Sequence, residues 1–519
     1  GVQLRLKPES DKENQMAWKI ARYPPAWHNN GKGGVTLAPN RASGLLTVTA
    51  YTGHLRIPPN SKATLRFSML LTPVKPLDTR ILFGPRMRRF HSKTWQEPES
   101  KKIADQGVRA ISVHHATRVN PYINYPFHDA TSAALQQYGL TSGSHGIDLS
   151  VYYTLREVSN HASELPVMPV LEDVLVRSTE GDRRSAKSIG PQMRGGEKSW
   201  LRKHLPYGSY TEAWTSKMRG DDAPHGGKHP CEAVVVNGSS ESWLNHFIMG
   251  AAHLVKCRHI RGFYMDGIAF NRNGMKRMRR ASEEAMRKAM RDQNRLLPFC
   301  EDEDNDPRCF PHFDNHPNNK TVVYLEHLPF FDSIWSGEMS DYNISPEHHL
   351  VHLSGIPFGV PGQMLSGKLR NKKKTNKLLY YRGLLFGMTD RLGWNHNSGD
   401  LLESLWRLWD DFGMEHTAIS GFWSRPEERV VVDVQGNSKV RATSFTRRDT
   451  RTSLIVIASW DPQPGLVTLV INWAHLRRVS TATVPAITGL QRSGSLQVQS
   501  SGVVEVDLRS WDGGLLLIL

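Results

Sequence analysis

The chain has 519 residues, with 66 Lys and Arg against 50 Asp and Glu, a formal charge of +16, and 39% hydrophobic residues. That length excludes a peptide toxin or a small zinc module and predicts two or three domains, and no apolar run approaches the roughly 18 to 20 residues of a membrane helix. The excess charge is spread along the sequence rather than gathered in a tail, so it predicts a folded surface that favours a polyanion: nucleic acid, anionic membrane, or an acidic or sulfated glycan.

Residues 1–85 read as β, since short β-branched and apolar runs, such as those in 36–59 and 64–77, are separated by Asn, Gly and Pro; this segment is expected to be part of a sandwich. The opening residue is Gly1 and the first ten lack the charged start and apolar centre of a signal peptide, so a processed or truncated form is expected. From about residue 106 strands alternate with helical stretches. Strands are expected in 107–117, 147–159, 261–270 and 321–327, and lastly in 416–423, while 328–338 is another apolar segment ending in acids. Helices are expected over 129–140, 239–257, 273–297 and 401–413. Alternation over 300 residues predicts a parallel (β/α)8 barrel spanning 86–425. Residues 172–230, rich in Gly, Arg, Ser and His, read as long loops over one end of it. Five β-branched runs after residue 426 predict an antiparallel sandwich over 426–519. The fold class is thus multidomain α/β plus β, a central TIM-like barrel flanked by two β-sandwiches.

The four cysteines are Cys231, Cys257, Cys300 and Cys309. The last two flank an acidic, turn-rich stretch that a disulfide could close, leaving Cys231 to pair with Cys257; without CxxC spacing, zinc is the weaker reading. Sequons at Asn237, Asn319 and Asn343 fit a secreted glycoprotein, although chance supplies about as many.

Acids at the C-terminal ends of barrel strands point into the mouth, whereas acids on helices are usually solvated. Asp266 follows the apolar run Phe263–Met265, and Asp332 and Glu338 flank a second run that contains Trp335. Two carboxylates across a mouth are what glycoside hydrolysis requires, with aromatic rings to stack on sugars. Each acid also has a structural reading, Asp266 as a helix N-cap and Glu338 as a turn acid. His114 and His115 at a strand end could contact substrate, or could be a hydrogen-bonded structural pair. The basic helix from Lys276 to Arg295 could be a solvated outer face.

The blocks GFYMDGIAFNRNGMKRMRRA, FFDSIWSGEMSDYNISPEHHLVHLSGIPFGVPGQML, YYRGLLFGMTDRLGW and LWRLWDDFGMEHTAISGFW, in this order over roughly Leu70 to Trp423, resemble glycoside-hydrolase-like proteins related to glycoside hydrolase family 123, the retaining β-N-acetylgalactosaminidases. The resemblance implies a sandwich, a barrel and a second sandwich, and a glycosidase. Characterised relatives use an adjacent Asp-Glu pair; here the one Asp-Glu is Asp302-Glu303, inside the acidic loop, and the nearest counterpart at a strand end is Ser336-Gly337-Glu338.

Glu338 is therefore expected as general acid/base, Asp266 as nucleophile or transition-state stabiliser and Asp332 as the reserve. Trp335, Tyr264, Tyr342 and Trp394 are expected as sugar platforms, and Arg391, His348, His349 and His114 as substrate contacts, the arginine for a carboxylate or sulfate. The expected substrate is an extracellular oligosaccharide or polysaccharide, anionic or containing amino sugars. No nucleic-acid signature supports that partner. No cofactor is required, a β-domain or the acidic loop leaves room for a structural calcium, and the location is secreted or lysosomal. The alternative is a glycan-binding protein that keeps the hydrolase fold without activity.

Overall fold

The computed structural model describes residues 2–7, 24–40, 42–92, 97–115, 117–127, 129–155, 157–159, 162, 174, 233–238, 240–266, 272–293, 309–316, 328–336, 342–364, 370–371, 374–393 and 399–519. Its centre is a ring of eight parallel strands taken in chain order: β1 Arg89–His91, β2 Ala110–Val113, β3 Asp148–Tyr152, β4 Gly262–Asp266, β5 His312–His316, β6 Ser333–Ser336, β7 Gly362–Met364 and β8 Leu392–Gly393. The Met364 amide donates to the Thr389 carbonyl at 2.9 Å, just ahead of β8, and the Gln363 side-chain amide donates to the Met87 carbonyl at 2.6 Å, so the two edges meet and the sheet curls into a TIM-like barrel.

Both faces of these strands are covered, which is why β3 is buried at every residue. Alternation divides the two roles. Phe263 and Met265 turn outward into the apolar layer under the helices, whereas Tyr264 turns inward. The helix Glu241–Cys257 (α1) opens on Ser240, whose hydroxyl accepts from the Trp243 amide at 3.1 Å. The helix Arg272–Gln293 (α2) buries Met275, Met278, Ser282, Ala285, Met286 and Ala289, a stripe at helical spacing. Arg277 of α2 reaches across to Glu241 of α1 at 2.9 Å.

Two expectations about strands change. The fifth barrel strand is His312–His316, a mostly polar run that alternation of apolar residues does not reveal, while 321–327 lies outside the described residues. The segment Thr417–Gly421, expected as the barrel's last strand, pairs antiparallel with Val440–Arg447 in a six-stranded sheet; the ring is completed instead by the two-residue strand Leu392–Gly393.

That six-stranded sheet and a three-stranded one, both antiparallel, make up the C-terminal region and share one apolar core. The strand Ser453–Ser459 explains how this region is fixed to the barrel. Ile455 and Ile457 face the core between the sheets, while Leu454, Val456 and Ala458 face the barrel core together with Trp406 and Trp409 of the helix Gly399–Phe412 (α3). At the N-terminus, Val2–Lys7 pairs with Arg66–Leu71, and Gly34–Asn40 with Leu45–Tyr51.

Cys257 is a free thiol, which overturns its pairing with Cys231; Cys231 and Cys300 lie outside the described residues. Among the described residues no helix is long and apolar enough to cross a membrane, and no group of three or more His, Cys, Asp or Glu could hold a metal ion.

Candidate active site

The inward side chains of the barrel stack in polar tiers. Nearest the strand starts, Asp148 pairs with Arg86 at 2.7 Å and with Arg261 at 3.3 Å. One tier up, Arg89 pairs with Asp314 at 2.5 Å, His312 Nε2 lies 2.9 Å from the same carboxylate, and the Ser333 hydroxyl donates to it. Burial works against the Asp314 charge, yet Arg89 and His312 outweigh it and hold the carboxyl below its ordinary range. These tiers fill the barrel floor with satisfied charges, which makes the mouth the place for open chemistry.

The next tier is aromatic. Tyr264 of β4 stacks on Trp335 of β6 with centroids 4.3 Å apart, the Arg391 guanidinium lies 4.3 Å from the Trp335 ring centroid, and Arg89 lies 5.2 Å from it on the way down. His91 at the end of β1 approaches Tyr264 at 5.2 Å and Trp335 at 5.3 Å. Tyr152, the last residue of β3, lies 4.2 Å from the His114 ring.

At the top sits Asp266, the last residue of β4. The Tyr152 hydroxyl donates to its Oδ2 at 2.8 Å, and its backbone carbonyl accepts from the Thr154 hydroxyl at 3.2 Å. Asp266 is half-buried, in contrast to the fully buried Asp314 one tier below. His115 feels its field. Burial and the neighbouring His114 nevertheless push that imidazole well below its ordinary value, so it is neutral. A carboxylate that accepts from the Tyr152 hydroxyl, with aromatic walls and the neutral His115 nearby, can serve as a nucleophile or as the anion that stabilises a developing cation.

The other expected residues divide sharply. Glu338 and Trp394 lie outside the described residues; Glu338 follows two positions after the end of β6, the strand that brings Trp335 into the barrel. Asp332 is corrected: alternation along β6 sends Ser333 inward and Asp332 outward, where it pairs with Arg279 of α2, lies 3.6 Å from Lys75 and accepts from the Phe313 amide at 2.9 Å. Burial opposes its charge, but Arg279 and Lys75 prevail and depress the carboxyl strongly, so it is a structural anion.

Trp335 and Tyr264 are buried, at 0% and 3% exposure, and form the floor beneath the mouth rather than open platforms. Tyr342 is packed in the main core, its ring edge-on to His349, and is no platform either. His349 is stacked on Phe386 at 4.6 Å, and burial, aided by Arg382, lowers it to about 3, so it makes no cationic contact. His348 is exposed beside His352 on the short helix Pro346–His352, whose Glu347 pairs with Arg441 of the C-terminal sheets. Arg391 is buried against Trp335. His114 is buried against the Tyr152 ring.

Tyr152, His91 and Arg89 were not anticipated. Their strands are short and inward positions carry polar residues, so the signal available was alternation itself: Arg89 and His91 at i, i+2, and Asp148, Ser150 and Tyr152 at i, i+2, i+4.

The family model for the TIM-barrel domain of glycoside hydrolase 123 matches residues 86–393, that for the C-terminal domain matches 402–519, and that for the third domain matches 1–73. The chain belongs to glycoside hydrolase family 123. It is a glycosidase, and its family-matched barrel domain carries the mouth described above. No curated protein matches it in sequence. Among solved structures, this family 123 chain is similar to a noncanonic maltogenic alpha-amylase from Thermotoga neapolitana, with 8% identity over 84% of this chain and 99% of that one at TM-score 0.48. It is also similar to an alpha-amylase from Geobacillus thermoleovorans complexed with acarbose, with 8% identity over 84% and 96% at TM-score 0.45. A GH36 alpha-galactosidase from Geobacillus stearothermophilus shows 10% identity over 84% and 56% at TM-score 0.43.

Proposed function

We propose that the protein hydrolyses a glycosidic bond in an extracellular glycan that is anionic or contains amino sugars, with Asp266 and Glu338 as its carboxylate pair. The observation that carries this reading is the position of Asp266: a half-buried carboxylate at the C-terminal end of a barrel strand, held by the Tyr152 hydroxyl above an aromatic floor. In sequence Glu338 comes two positions after β6, and β6 lies two strands along from β4, so the two strands are about 10 Å apart. Glu338 donates a proton to the glycosidic oxygen as the bond to the anomeric carbon breaks, and Asp266 takes or stabilises the positive charge on that carbon. Water, deprotonated by Glu338, completes hydrolysis.

The anionic preference rests on the +16 charge. The secreted or lysosomal location rests on the sequons, of which Asn343 is exposed. The C-terminal sheets are read as a sandwich on the strength of their shared core. A bridge closing the Cys300–Cys309 loop is supported by the bonded state of Cys309 and by the free Cys257, and a structural calcium would belong to a β-domain or to that acidic loop.

Hydrolysis of a panel comprising sulfated and unsulfated chondroitin, other anionic polysaccharides and aryl N-acetylgalactosaminides tests the reading, with wild type and Glu338→Gln side by side. Cleavage by the wild type that is lost in the variant is the expected result. Binding without cleavage by the wild type would turn the reading to a glycan-binding descendant of the fold.

A further inference from the structure

The helix α2 begins six residues after Asp266 and descends the outside of the barrel. A helix that follows a barrel strand starts at the C-terminal face, so its first turn lies at the rim of the mouth. Its two faces differ completely. One buries Met275, Met278, Met286 and their small neighbours. The other exposes Arg272, Lys276, Arg280, Arg287, Lys288 and Arg291.

The acids of the helix do little to neutralise that face. Glu283 is turned to Arg279, which also holds Asp332, and Arg277 is taken by Glu241 of α1. Glu284 and Asp292 are the exposed acids. Lys276, Arg280, Lys288 and Arg291 pair with no carboxylate among the described residues. At 1.5 Å per residue the cations from Arg272 to Arg291 span about 28 Å.

We propose that this face is a docking track for a polyanionic glycan chain, sulfated or uronate-bearing, whose far end enters the barrel mouth. The inference rests on the reading of the substrate as an anionic glycan and adds where the polymer is held outside the site. Two features of the helix favour a glycan over other polyanions. It contains no aromatic residue, so it offers no surface on which the bases of a single-stranded nucleic acid could stack. Its apolar residues face the barrel core, so it lacks the apolar side with which an amphipathic helix enters a membrane interface.

The test compares the whole wild-type chain with a variant carrying Lys276→Gln, Arg280→Gln, Lys288→Gln and Arg291→Gln. Affinity for chondroitin sulfate, for uncharged dextran and for duplex DNA is measured from about 50 to 300 mM NaCl, a range over which the Debye length shortens from about 14 to 6 Å. Thermal melts of the two proteins are expected to coincide, because the four side chains are exposed. The expected result is wild-type binding of chondroitin sulfate that weakens with salt, no binding of dextran, and affinity lower by about fivefold per cation removed in the variant. Cleavage of a small aryl glycoside, where the wild type shows it, is expected to be unchanged. Absence of chondroitin sulfate binding by the wild type, equal affinity of the two proteins, or a preference for DNA over the glycan of tenfold or more would each overturn the proposal. Failure of the catalytic reading is separate: it shows as lost cleavage with the salt-dependent, track-dependent binding intact.

Discussion

Asp266 has the position a reacting carboxylate needs, and Tyr152 is the residue that holds it there. A hydrogen bond to a charged acceptor contributes about 1.5 to 3 kcal/mol, and this one fixes Oδ2 while leaving the carboxylate half-buried at the mouth. Tyr152→Phe keeps the ring against His114 and removes only the donor. It is expected to lower kcat/KM by about tenfold or more with little change in melting temperature, measured on whichever panel substrate the wild type cleaves. An unchanged rate would remove Tyr152 from the account. Asp332 gives the opposite case. It is buried between Arg279 and Lys75, and Asp332→Asn strands those cations, so a loss of about 3 kcal/mol or more in stability is expected. Turnover per folded molecule is expected to stay the same. Both acids adjoin an apolar run in the sequence, which kept Asp332 as a reserve to Asp266; the parity of the strand position, which sends Ser333 inward and Asp332 outward, separates them.

At the scale of elements, alternation was legible where strands carry apolar residues on one face at least, as in β3 and β4. It failed at β5, where His312 and Asp314 belong to a polar barrel interior, and at β8, two residues long and too short for any pattern. The strand Thr417–Gly421 was recognised as a strand but placed in the wrong sheet, since sequence shows no pairing partner. The short helix Pro346–His352 carries a pH dependence of its own. His349 is fully buried on Phe386 and its folded value, about 3, lies below the ordinary 6.5. Between those values the unfolded chain binds a proton that the folded chain does not. Stability is therefore complete above about pH 6.5 and declines as the pH falls toward 3, by up to about 1.4 kcal/mol per unit. His349→Phe is expected to flatten that part of the stability curve, read by denaturant titration at pH 4.5 and 7; an identical pH slope in the variant would show that the imidazole is not the cause.

For the whole molecule, the sequence carried the order of the domains and the family resemblance, and both follow from long blocks rather than from single residues. The platforms expected at Trp335, Tyr264 and Tyr342 were misread because a Trp or Tyr beside a motif is as apt to be buried in the fold as to meet a sugar. Burial of Trp335 and Tyr342 decides that, and burial is a property of the assembled fold. What remains at the mouth is a ring of inward side chains from several strands, with the Asp266 carboxylate at its rim. The measurement that tests this most directly is kcat/KM of wild type, Asp266→Asn, Glu338→Gln and the double variant on one cleaved substrate, with melting curves alongside. Each single substitution is expected to cost about 10²- to 10⁴-fold, and the double variant less than the product of the two, since the groups act on one transition state. Retention of more than a tenth of the activity in folded Asp266→Asn would contradict the assignment of the strand-end carboxylate to catalysis.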